Sequence, residues 1–130
     1  MEEITTVSTL RRDGFCSLRA ARGEERVLTR PLRFSGATLF VNAHCASCAE
    51  GAANCSAGYV QAALLEAPPG SNTSAEVEVE GFRRSEALPV TGDALEGALR
   101  WRSGRSVADA GTARLALYLR SCDLYSFWSE

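Results

Sequence analysis

The chain has 130 residues, of which 45% are hydrophobic and 23% charged, and a formal net charge of −2. That length suits one domain with a two-layer core. The near-neutral charge leaves no electrostatic footprint for nucleic acid or an anionic membrane, and no apolar run is long enough for a membrane-crossing helix.

Residues 4–12 read as a first strand, with Ile4, Thr6, Ser8 and Leu10 on alternate positions. Asp13-Gly14 is a turn signal, and residues 15–20 form a short second strand. Residues 21–25 read as a polar loop around Gly23. Residues 27–32 are extended, and Pro31 argues for an edge or an irregular strand. Ser35-Gly36 makes a turn. Residues 38–43 are a strand, with Leu39 and Val41 opposed to Phe40 and Asn42. Residues 43–58 interrupt the pattern as a small, polar insertion holding three of the five cysteines.

A strand resumes over residues 59–67. Residues 75–80 alternate valine with glutamate, which predicts a strand with one solvated face. Thr91-Gly92-Asp93 is a turn, and Leu95, Leu99 and Trp101 share one face of the strand after it. Residues 103–111 form a loop with one helical turn. Leu115, Leu117 and Leu119 alternate with Arg114, Ala116, Tyr118 and Arg120, so a leucine face points to a core. Ser121-Cys122-Asp123 reads as a turn before an aromatic last strand. Eight or nine short strands with such turns predict an all-β antiparallel sandwich, jelly-roll-like, in a single domain.

Several of these stretches, in order, resemble one family. Leu10-Arg11-Arg12-Asp13-Gly14-Phe15-Cys16-Ser17-Leu18 is similar to its opening motif, and Thr29-Arg30-Pro31-Leu32-Arg33-Phe34-Ser35-Gly36 to the next. Leu39-Phe40-Val41-Asn42, Gly81-Phe82, Thr91-Gly92-Asp93 and the strand ending at Trp101 follow. Arg120-Ser121-Cys122-Asp123-Leu124-Tyr125-Ser126-Phe127 resembles the closing motif. The family is the C-terminal β-sandwich accessory domain of glycoside-hydrolase-like proteins of the family 32/43 propeller type. The resemblance implies a non-catalytic jelly-roll-like domain with no cofactor. It would bind carbohydrate or pack against a catalytic domain. Cys16 and Cys122 occupy positions that are small in that family, which points to their being neighbours and a disulfide pair.

Tyr118, Trp128, Tyr125 and Tyr59 are the candidate sugar-stacking residues, since aromatic faces offer apolar area with a polar rim. Tyr118 lies opposite the leucine face, and Trp128 is expected at a frayed end. Aromatics on sandwich strands are more often core, as expected of Trp101 and Phe127. The alternative function is a zinc-binding or protein-interaction module: His44, Cys45, Cys48 and Cys55 offer four ligands within one loop. In a secreted protein the same loop is a disulfide-pinned insertion. Asp13, Asp93 and Asp123 sit at turns, where calcium or their own backbone amides are the alternative partners. The acidic start, Met1-Glu2-Glu3, lacks the features of a signal peptide. The sequons at Asn54 and Asn72 favour a secreted or extracellular route.

Overall fold

The computed structural model describes residues 18–46, 57–67 and 76–130. The fold is all-β. Its strands are β1 (Leu18–Arg33), β2 (Leu39–Cys45), β3 (Tyr59–Glu66), β4 (Ala87–Leu88), β5 (Asp93–Trp101) and β6 (Thr112–Ser129). They form one antiparallel sheet in the order β1-β6-β2-β5-β4, with β3 also on β6. The sheet curls into a half-barrel around its leucine face. The expected strand over residues 4–12, the Asp13-Gly14 turn and Phe15 lie outside the described residues.

β6 is the spine. The turn expected at Ser121-Cys122-Asp123 does not form, and the ladder runs through it. Ser121 takes a left-handed φ of 49°, which kinks the strand without ending it. Opposite, Ala20 faces Cys122 and Glu24 faces Arg120, so Ala21, Arg22 and Gly23 stand against Ser121 alone. Gly23, at φ 72°, absorbs the surplus backbone. The polar loop expected at 21–25 is therefore a bulge within one long strand.

β1 forms an outer edge of the sheet, as Pro31 required, and Pro31 follows a second register shift. That shift is repaired by a buried threonine. Thr29 Oγ1 accepts the Leu115 N–H at 2.9 Å and donates to the Arg30 carbonyl at 2.7 Å. A buried amide left unpaired would cost ~1–3 kcal/mol.

β2 and β3 lie end to end along one side of β6. β2 faces Ser129 back to Cys122, and β3 faces Arg120 back to Ala113. Between them Gly58 N–H donates to the Ala46 carbonyl at 2.8 Å, and Ala46 N–H donates to the Ser121 carbonyl at 2.9 Å. The insertion leaves and rejoins a single strand line at one point. Its expected start is corrected: His44 and Cys45, read as insertion, belong to β2, with Ala43 in the strand as expected.

Leu115, Leu117, Leu119, Leu39, Leu99 and Trp101 are buried together as the alternation predicted. Leu95 is not, at 62% exposure. Val41 faces Gly97 and Ala43 faces Ala94, so Leu95 and Glu96 together oppose Asn42. One extra residue reverses the phase before Leu99. Among the described residues of the strand expected at 75–80, Glu78 forms an isolated bridge to Leu65. Phe82 closes the core, edge-on to Trp101 at 5.2 Å. Trp101 Nε1 donates to the Ala62 carbonyl at 3.0 Å.

The curl brings the two ends of β6 together. Leu32 and Arg33 pair with its first residues, yet they line a groove with Phe127, Trp128 and Ser129 from its last turn of pleat. The Glu130 carbonyl fastens this end by accepting Ala37 and Thr38 N–H at 2.9 and 3.0 Å.

Candidate functional site

The alternation that buries Leu39, Val41 and Phe127 turns Phe40, Asn42 and His44 to the other face of β2. Their ladder partners are Trp128, Ser126 and Asp123. Phe40 and Trp128 are both half-buried, and their rings stack at 5.7 Å with planes 20° apart. Trp128, expected at a frayed end, is held in the ladder. It borders a groove of about 160 Å³ with Leu32, Arg33 and Phe34. Next along the face, Asn42 and Ser126 are 5% and 1% exposed, and Ser126 Oγ has no hydrogen-bond partner among the described residues.

Beyond them a charged row crosses four strands: Asp93, His44, Asp123 and Arg19 are successive ladder partners on β5, β2, β6 and β1. Arg19 holds Asp123 in a fork, Nε to Oδ1 at 2.7 Å and Nη2 to Oδ2 at 3.1 Å. The Arg19 hydrogen bond keeps the Asp123 carboxyl below its ordinary range, against the opposing effect of burial. His44 Nδ1 lies 3.5 Å from Asp93 Oδ1. Asp123, expected in a turn, is thus a mid-strand ion-pair partner, while Asp93 opens β5. Asp13 lies outside the described residues.

Tyr59 and Tyr118 meet on the other half of the sheet, beyond the Ser121 kink. Tyr59 faces Arg120, and Gln61 faces Tyr118. The Tyr59 hydroxyl donates to Glu24, which also accepts from Arg84. The Arg84 guanidinium sits 4.1 Å from the Tyr118 ring centroid and covers one face of it. Arg26 forks onto Glu76 beside them. The Arg84 hydrogen bond holds Glu24 below the usual carboxylate range, and the Glu24 hydrogen bond raises the Tyr59 phenol. These tyrosines are engaged with neighbouring side chains. Tyr125, half-buried, stands at the register shift between Asn42 and Ala43. The four aromatic candidates do not share one platform: Trp128 and Tyr125 lie on one side of the kink, Tyr118 and Tyr59 on the other.

Cys122 is bonded to Cys45. That corrects the expected Cys16–Cys122 pair, because one sulfur cannot serve two disulfides. It also removes Cys45 as a thiolate from the set His44, Cys45, Cys48 and Cys55. Cys16, Cys48 and Cys55 lie outside the described residues. Among the described residues no group of three or more His, Cys, Asp or Glu side chains is placed to hold a metal ion.

Sequence reasoning missed Phe40, which stacks on Trp128, and Arg33, which lines the groove beside it. Phe40 stood on the outward phase of its strand, which was visible. That Trp128 is its partner, and that Arg33 lies beside Trp128, depends on register and curl, which no local pattern carries. No family model, curated protein or solved structure matches the chain.

Proposed function

We propose that the chain is a non-catalytic, sandwich-like recognition module whose carbohydrate-binding face is the Phe40–Trp128 pair and its groove. The supporting observation is the pair itself. Two stacked, half-buried rings supply apolar area for a sugar's C–H face, and Ser129 and Arg33 supply polar groups at the rim. This fits the accessory role that the sequence resemblance implies, beside a glycoside-hydrolase-like catalytic region. The Cys45–Cys122 disulfide supports an oxidising, secreted setting.

Tryptophan fluorescence tests it. Trp101 is 4% exposed and Trp128 is half-buried, so a bound sugar perturbs Trp128 selectively. Screening immobilised glycans should find a ligand that shifts this emission. Trp128→Ala should abolish binding, and Tyr118→Ala should leave it intact. Binding that survives Trp128→Ala and is lost in Tyr118→Ala would move the site to the tyrosine face. No bound glycan in the screen would sink the recognition reading and leave packing against a catalytic domain in its place.

A further inference from the structure

We infer that the sugar taken by this face is acidic, a hexuronate-containing oligosaccharide; the inference rests on the carbohydrate reading above. It starts from how the arginines are used. Arg19, Arg26 and Arg84 each fork onto a carboxylate. Arg33 does not: it is exposed, and among the described residues no carboxylate pairs with it. Among the described residues it is the one charged residue lining the groove beside Trp128.

Arg33 therefore stands in the groove with Trp128, its guanidinium without a carboxylate partner among the described residues. A guanidinium fork matches a planar carboxylate in two parallel hydrogen bonds. A hexuronate presents that carboxylate on the rim of a ring whose faces stack on aromatics. A neutral hexose satisfies the rings and leaves Arg33 without a partner.

The test compares one sugar skeleton with and without its charge: an oligomer of galacturonic acid and its methyl ester, by calorimetry. The acid should bind at least tenfold tighter at low salt, and added salt should narrow the gap. Arg33→Gln should bring the acid down to the affinity of the ester. Equal binding of acid and ester overturns the inference and leaves carbohydrate recognition standing. Failure of both oligomers, and of every neutral glycan, overturns the two together. The ester comparison needs no variant, so a poorly folding Arg33→Gln does not weaken it.

Discussion

Cys45 and Cys122 face each other directly in the β2–β6 ladder, with Cα atoms 4.0 Å apart, and share a disulfide that closes 77 residues of chain. Cys45 is the last residue of β2, and Cys122 follows the kinked Ser121. Both are at most 3% exposed. The bond fixes the register where β2 stops and the excursion begins.

Breaking it should be costly. In the chain-entropy model a loop of this length is worth roughly 4 kcal/mol, and removal of native disulfides from small domains typically costs ~2–5 kcal/mol. Reductant should therefore lower the denaturation midpoint, as should the double variant Cys45→Ala with Cys122→Ala. The double variant should be insensitive to reductant at this site. Thiol counting on unreduced, denatured protein gives the direct check. With five cysteines in the chain and two of them bonded, three reactive thiols are the maximum. Five would mean that the bond is absent.

The core prediction contrasts two leucines that look alike in the sequence. Leu117 is fully buried, and Leu95 is 62% exposed. Leu117→Ala should cost ~2–5 kcal/mol. Leu95→Ala should stay within about 0.5 kcal/mol of the parent. Chemical denaturation of both reads the difference. Equal losses would place Leu95 in the core and remove the β5 bulge.

That contrast shows what was legible. The leucine face of β6 was plain, because a strict period of two ran through Leu115, Leu117 and Leu119 without interruption. The edge position of β1 followed from Pro31, and the helical turn at Val107–Ala110 from a break in the same pattern. What failed were the irregularities. The bulge at Gly23 and the kink at Ser121 lie inside strands, yet the residues there read as a loop and a turn, and Leu95 read as facing with Leu99 because the extra residue in β5 leaves no mark on the apolar pattern. The Arg84–Glu24 pair joins residues 60 apart, and the Phe40–Trp128 pair depends on cross-strand register.

The carboxylates predict how stability follows pH. Arg84 first, then the Tyr59 hydroxyl, depress the Glu24 pKa, and Arg19 depresses that of Asp123. A depressed folded pKa contributes stability that is present above the unfolded value, near 4 for carboxylates, and is lost as pH falls through the folded value. Stability should thus decline below about pH 4. In Arg84→Gln the gap to the parent should be constant at neutral pH and shrink on acidification. The lost contact over Tyr118 should leave an offset that does not depend on pH. Thermal denaturation from neutral to strongly acid pH measures this, and a gap that never narrows would remove the Arg84–Glu24 linkage. Tyr59 works in the opposite direction. Its pKa is raised, so its contribution is complete below about pH 10 and fades as pH rises through the raised value.

The neck of the excursion carries the last prediction. A Cβ on Gly58 would fall 2.5 Å from the Ser121 carbonyl oxygen and 2.6 Å from that of Arg120. Both are backbone atoms of β6, so neither can rotate away. Gly58→Ala should therefore force β3 off β6 locally and cost ~1–3 kcal/mol, the usual range for overpacking. Removing residues 47–56 should be tolerated far better. Ala57 would then join Ala46 to Gly58 as a single bulged residue. The Gly58 N–H already donates to the Ala46 carbonyl at 2.8 Å, and after excision that bond would close a three-residue turn. β2 and β3 would become one strand along β6, with Cys45 still opposite Cys122. The excised chain should keep its β-sheet circular dichroism and its reductant-sensitive stability, because shortening a connection changes loop entropy only modestly. An excision variant that unfolds beside a folded parent would show that the segment is part of the core, and that β2 and β3 are separate strands rather than two halves of one.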